Sequence, residues 1–358
     1  MATSSQDMEK KMKPHNLLRS LALPATLLGA LFCATQPALA AGAAKTLPTL
    51  SLPADWYPES LATGPDGAFY VGSWRQGAVA RVRPDGSAPE ILVKPGSNGL
   101  ANGQGVLVDA AHQLLWVCSG NWGYTSVPSA PSALKSYDLT SGASRASYAM
   151  PDKGYCNDLV QDSHGTLYVT DSFHPRVLRL LPGAAALTIW KEDPSMGAGS
   201  DGVYLNGIAL DGDRRLYVSL VTAVPYVLRV DVEEGGAAGA VNRIEMPRVL
   251  KNADAIRIYA PGRMAIFESN AFGKTGPYGG QISIARIDGG SATLDTIVSG
   301  LNDPSSGVIV GNRVYFIESK YGLLFQHKEH PEEIPTNVPF DLQSRELPRE
   351  RLKKSQTF

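Results

Sequence analysis

The stretches "CNDLVQDSHGTLYVTDS" (residues 156–172) and "LNGIALDGDRRLYVSL" (residues 205–220) begin 49 residues apart and share one plan. In each, an asparagine (Asn157, Asn206) precedes a short apolar run, a tight turn bearing Gly or Asp follows, and a second apolar run closes the unit. Two such runs joined by such a turn predict a β-hairpin. Four more segments align beneath them: "ESLATGPDGAFYVGS" from Glu59, "QGVLVDAAHQLLWVCSG" from Gln104, "DAIRIYAPGRMAIFES" from Asp254 and "SGVIVGNRVYFIES" from Ser306. The six starts are spaced by 45, 53, 49, 48 and 52 residues. Most hairpins are followed by another alternating run, as in "AVARVRPDG", "RVLRLLPG" and "QISIARIDGG", then a turn and usually a fourth strand. Three or four antiparallel strands in each period, with no amphipathic helix between periods, predict an all-β fold, a six-bladed β-propeller over residues 41–327. A β-sandwich or a row of small β domains fits less well, because the period is even and no linkers interrupt it. The last repeat is one strand short, and "TLPTLSL" (residues 46–52) is expected to complete it and close the ring. Residues 328–358 are charged and contain proline, and are expected to form a C-terminal surface extension or disordered end.

The first 40 residues read as a secretory signal: Lys10, Lys11, Lys13 and Arg19 precede an apolar run from Leu21 to Ala34, and "PALA" places Ala38 and Ala40 in the register of a cleavage site. A secreted or periplasmic location is therefore expected. The 33 basic and 34 acidic residues fall to 29 and 32 once the four basic and two acidic residues of the signal are removed, a net charge of −3. That balance speaks against nucleic acid as a partner. No later stretch is apolar for long enough to span a bilayer, so no membrane association is expected after signal removal. Beyond the signal, Cys118 and Cys156 remain. In an oxidising compartment they either pair or persist as two buried thiols.

In a propeller, the first strand of every blade lines the central channel, so the residue opening each first strand lies at one channel mouth. The openers are Glu59, Gln104, Asn157, Asn206, Asp254 and Ser306, all polar and all carrying a side-chain oxygen. Converging polar groups are costly unless something satisfies them. A hard divalent cation does so: Ca²⁺ takes six to eight oxygen ligands, whereas Zn²⁺ prefers His and Cys, absent from these positions. Asp158 and Asn252 flank the openers, but strict strand alternation would turn them away from the channel. Loops on the same face carry Trp74 and Arg75, Trp122 and Tyr124, Phe173 and His174, Tyr226, Phe272, Lys274, Tyr278, Lys320 and Tyr321. They predict a largely apolar wall with a few cationic groups. The loops at residues 120–133 and 269–280 are long enough to cover the site.

The blade openings "PESLATGPDG", "CNDLVQD", "LNGIALD" and "NADAIRI" resemble those of the SMP-30/gluconolactonase family, related to paraoxonases and squid-type diisopropylfluorophosphatase. The resemblance implies metal ligands at Glu59, Asn157, Asn206 and Asp254, binding Ca²⁺ or another divalent cation. It also implies hydrolysis of a small-molecule lactone or related ester, the metal polarising the carbonyl, with Asp254 either as catalytic base or nucleophile or as a plain ligand with no part in proton transfer. Gln104, Trp74, Trp122, Phe173, His174, Phe272 and Ser306 are the expected substrate contacts, and a monomer is expected. Two features depart from the family pattern: "ESL" stands where gluconolactonases commonly have "EGP", and no histidine opens a blade to resemble the paraoxonase base. The competing readings are a non-catalytic ligand- or protein-binding propeller with a structural ion, and a strictosidine synthase-like enzyme.

Overall fold

Each of the six hairpins forms the first two strands of a four-stranded antiparallel sheet, and the six sheets are the blades of a six-bladed β-propeller. The computed structural model describes residues 49–197, 205–221, 224–271 and 276–348. The fold lies within the unit spanning residues 47–358. The signal segment and Phe272 lie outside the described residues.

The inner strands run, from blade 1 to blade 6, Pro58–Thr63, Asn102–Asp109, Cys156–Gln161, Leu205–Asp211, Ala253–Ala260 and Gly307–Val310. Each packs against the inner strand of the next blade, and the sixth packs against the first. Six clusters of buried apolar side chains fill the blade interfaces. Between blades 1 and 2, for example, Tyr70, Val79 and Leu92 meet Leu100, Val106 and Leu115. The alternation of each strand supplies one apolar face to each neighbouring blade, which is why both faces of the middle strands are buried.

Ring closure joins the two ends of the described chain. Leu50–Ser51 pairs with Asp341–Glu346, Leu50 opposite Leu342, and Asp341–Glu346 pairs in turn with Arg313–Ile317. The N-terminal strand therefore completes the last blade. The expectation that residues 328–358 lie outside the propeller needs correction, since Asp341–Glu346 is the third strand of blade 6. Cys118, in the second strand of blade 2, is joined by a disulfide to Cys156, which opens the inner strand of blade 3. Among the described residues no helix is long and apolar enough to cross a membrane.

The inner strands are irregular at one shared point. In blades 1 to 5 the pairing of the first two strands shifts between Pro58 and Leu61, Gly103 and Val106, Cys156 and Leu159, Leu205 and Ile208, and Ala253 and Ile256. A bulge there breaks the alternation and re-aims side chains. These bulges contain Glu59, Gln104, Asn157, Asn206 and Asp254.

Candidate metal and active site at the channel mouth

The second strand of every blade runs into a buried serine, and these six residues build the site from below: Ser73, Ser119, Ser172, Ser219, Ser269 and Ser319. Several tie one blade to the next. Ser172 Oγ donates to the Leu205 carbonyl at 2.6 Å, Ser219 Oγ to the Asp254 carbonyl at 2.9 Å, and Ser319 Oγ to the Pro58 carbonyl. In blades 3, 5 and 6 the residue before the serine is a carboxylate that holds the chain entering the inner strand. Tyr155 N–H donates to Asp171 at 2.8 Å, Lys251 N–H to Glu268 at 2.7 Å and Asn302 N–H to Glu318 at 2.6 Å.

On this frame a cavity of about 40 Å³ opens at the channel mouth, lined by Glu59, Gln104, Asn157, Asn206, Asn252 and Asp254, with Trp74, Trp122, Tyr155, Tyr321 and Phe325 around it. Two serines determine which end of two asparagines faces the cavity. Ser172 gives its one proton to the Leu205 carbonyl, so it accepts from Asn157 Nδ2 at 2.9 Å. Asn252 Nδ2 donates to Ser269 Oγ at 2.8 Å, and the Ser269 hydroxyl faces the Asp254 carboxylate as a donor that lowers its pKa. Each carboxamide commits its nitrogen to a serine and is thereby oriented with its oxygen away from it. Both freed oxygens, Asn157 Oδ1 and Asn252 Oδ1, are buried without a partner. Asn206 also faces the Asp254 carboxylate as a donor that lowers its pKa.

The electrostatics match this geometry. Glu59 is 7% exposed and Asp254 4%. Burial pushes the Glu59 carboxyl well above the ordinary range, and the charges of Asp254 and Asp158 add to the rise. Burial likewise pushes Asp254 up to about 7, against the lowering effect of the hydrogen bonds from Ser269 and Asn206. Two buried carboxylates beside two unpartnered carboxamide oxygens form a set of hard acceptors with no positive group at its centre. A divalent cation held by oxygen ligands fits this set.

Below the mouth, Asp158 Oδ2 meets Arg257 Nη1 at 2.7 Å, and Arg257 Nη2 reaches Ser306 Oγ at 3.3 Å. Arg257 also lines a cavity of about 260 Å³ in the other half of the channel, walled by Leu61, Val106, Leu159 and Ile208. The ion pair thus stands between the two cavities.

Of the expected site residues, Glu59, Gln104, Asn157, Asn206, Asp254, Trp74 and Trp122 share the mouth cavity. Three of the expected substrate contacts are engaged elsewhere. Ser306 turns to Arg257, away from the mouth, and His174 Nδ1 sits 3.0 Å from Asp171 Oδ2 beside Arg176, where it helps hold the turn after the second strand. Phe173 packs on the Tyr155 ring, with centroids 5.0 Å apart, and does not itself line the cavity. Asn252, expected to turn away, lines the cavity: it lies before its strand in the left-handed region (φ 56°), where alternation does not apply. Asp158 also departs from alternation, because it lies inside the blade 3 bulge. Tyr155 and the serine ring were not expected. The serines were detectable by reading the aligned repeats one or two residues further.

No protein-family model matches the sequence, and no curated protein sequence matches it. Solved structures do. A gluconolactonase from Xanthomonas campestris superposes with a TM-score of 0.54 at 16% identity, over 84% of this chain and 89% of that one. The calcium-binding protein regucalcin from Agrobacterium tumefaciens gives 0.53 at 13%, over 82% and 94%. A pyrroloquinoline-quinone-bound aldose sugar dehydrogenase from Streptomyces coelicolor gives 0.53 at 14%, over 84% and 98%. At such identities the likeness is one of fold, and the fold carries more than one chemistry.

Proposed function

We propose that this protein is a divalent-cation-dependent hydrolase of a small lactone or related ester, acting at the channel mouth of a secreted or periplasmic propeller, with calcium as the cation. The observation that carries the reading is the pair of serine-oriented carboxamide oxygens, Asn157 Oδ1 and Asn252 Oδ1, unpartnered beside the carboxylates of Glu59 and Asp254. Glu59, Asn157, Asn252 and Asp254 would hold the ion, with Asn206 beside them. The resemblance of the blade openings and the gluconolactonase neighbour support a lactone as substrate.

When bound, the cation would polarise the scissile carbonyl and favour the negative charge that develops as it is attacked. Asp254, a carboxylate lining the cavity where the cation would sit, would take the proton of the attacking water. Ser269 and Asn206 hold it in place. The cavity of about 40 Å³ suits an ion and not a lactone, so the substrate ring would rest against the aromatic collar of Trp74, Trp122, Tyr321 and Phe325. Such a wall favours an aryl or alkyl lactone over a bare sugar lactone, which would ask for many hydrogen-bonding side chains.

The test is turnover of a panel of aromatic and aliphatic lactones by the purified protein with calcium, with chelator, and with Asp254→Asn. Activity that vanishes with chelator, and in the variant falls at least ~100-fold, supports the reading. Calcium binding that raises the melting temperature without turnover of any lactone or ester would instead make this a ligand-binding propeller.

A further inference from the structure

The residues lining the mouth cavity carry unpartnered donors as well as unpartnered acceptors. Among its lining residues, the Tyr155 hydroxyl and the Trp74 indole N–H are both buried without a hydrogen-bond partner. The acceptors suit a cation, but a donor does not, because its proton would face the ion. These donors call for a second, electron-rich occupant.

Tyr155 is held rigidly. Its backbone N–H is fixed by Asp171, its ring packs between Phe173 (centroids 5.0 Å apart) and Trp122 (6.3 Å), and it is 2% exposed. The opposite wall at Gly120 leaves room for nothing larger, since a Cβ there would fall 2.3 Å from Tyr155 Oη. Gln104 approaches the phenol oxygen as a donor, without a full hydrogen bond, so the phenol proton has no acceptor among the described residues. Trp74 lies on the other side of Trp122, with centroids 6.2 Å apart. A buried donor left unmade costs about 1–3 kcal/mol, which a chain tolerates where a ligand supplies the acceptor.

We infer that Tyr155 is a catalytic hydrogen-bond donor to the substrate, its hydroxyl, with the Trp74 indole N–H as a second donor, taking an ester or lactone oxygen that becomes more negative during hydrolysis. The inference rests on the hydrolase reading for the identity of the substrate, but not for the presence of an oxygen-rich ligand. In the reaction, water adds to the carbonyl carbon and passes a proton to Asp254. The carbon–oxygen bond to the leaving alcohol breaks, and that alcohol takes up the proton from Asp254. The Tyr155 proton stays on the phenol throughout and contributes a hydrogen bond that strengthens as charge builds on the substrate oxygen.

Tyr155→Phe removes the donor and keeps the ring. Wild type and variant are compared, calcium-loaded, for calorimetric binding of phenylphosphonate, a stable mimic of the tetrahedral addition species, and for turnover of dihydrocoumarin. Calcium affinity and melting temperature are measured in parallel. The expected result is a ~10-fold or greater loss of phenylphosphonate affinity and a ~100-fold loss of kcat with little change in KM, calcium affinity unchanged. Trp74→Phe gives a smaller loss of the same kind. Equal phenylphosphonate binding by wild type and Tyr155→Phe overturns the inference, as does a loss accompanied by an equal loss of calcium affinity, which would make Tyr155 a support for the ligands. If phenylphosphonate binds in a Tyr155-dependent way but wild type hydrolyses no lactone or ester, the donor role stands and the hydrolase reading falls.

Discussion

A serine hydroxyl has one proton to give, and at this channel mouth that rule decides which atoms face the cavity. Ser269 accepts from Asn252 Nδ2 and faces the Asp254 carboxylate as a donor, so a single side chain bears on two of the proposed ligands. Ser269→Ala removes both restraints while leaving the apolar surroundings intact. We expect calcium affinity to fall by ~10-fold or more, the size of losing a hydrogen-bonded support behind a metal ligand, with the melting temperature of the metal-free protein changed far less. Calorimetric titration of calcium into wild type and variant decides it, and an unchanged Kd would mean that the Asp254 and Asn252 positions are set by backbone alone. Glu59, Asn157, Asn206 and Asp254 were legible in the sequence because each opens an aligned repeat. Asn252 was not, because whether a residue before a strand swings inward depends on a left-handed backbone that no periodicity records. Ser306 and His174 illustrate the reverse case: both occur at the right place in the repeat, but Arg257 and Asp171, distant in sequence or on the neighbouring turn, claim their polar atoms.

At the scale of strands and turns, the bulge in the inner strand of five consecutive blades is what lets adjacent residues such as Asn157 and Asp158 serve different parts of one channel. The disulfide acts on the same stretch. It clamps the inner strand of blade 3 one residue before Asn157 to the second strand of blade 2, across a sequence separation of 38. Replacing both cysteines, Cys118→Ala with Cys156→Ala, is expected to lower the unfolding free energy by about 2–4 kcal/mol, because an unfolded chain freed of this loop has more conformations to occupy. Urea denaturation of the two forms measures it, and a difference below about 1 kcal/mol would show that the blade interface holds without the bond. The strands of the six hairpins, the third strands of blades 1 to 5 and the closing strand Leu50–Ser51 were readable, because alternation and turn chemistry agree. The strand Asp341–Glu346 was harder to read: "DLQSRE" has little apolar alternation, most of its residues being exposed or half-buried, and residues 318–340 separate it from its partner strand. Its place follows from the ring's need for a third strand between Arg313–Ile317 and Leu50–Ser51, a demand of the whole fold.

Across the whole molecule, the propeller gathers buried acids at one mouth, and this shapes how stability should respond to pH when no cation is bound. Burial raises Asp254 to about 7 and Asp303 to about 6, and raises Glu59 as well. Each folded-state value stands above the ordinary carboxylate value of the unfolded chain, so between these values the folded protein binds more protons. The stability these groups contribute is fully present below about pH 4 and is lost as pH rises through about 6 to 7. Carboxylates that are shifted the other way, such as Glu268 with Arg248 and Asp109 with Gln161 and His112, are already ionised in both states above about pH 5 and add no slope there. Chelator-treated protein should therefore melt at a lower temperature at pH 8 than at pH 5.5. Calcium should reverse the order, since it binds the ionised carboxylates and its affinity rises as their protons leave. Thermal melts at the two pH values, with chelator and with calcium, make the comparison. Metal-free protein equally stable at both would mean that the acids at the mouth are neutralised by something other than protons, and would remove the electrostatic case for a cation there.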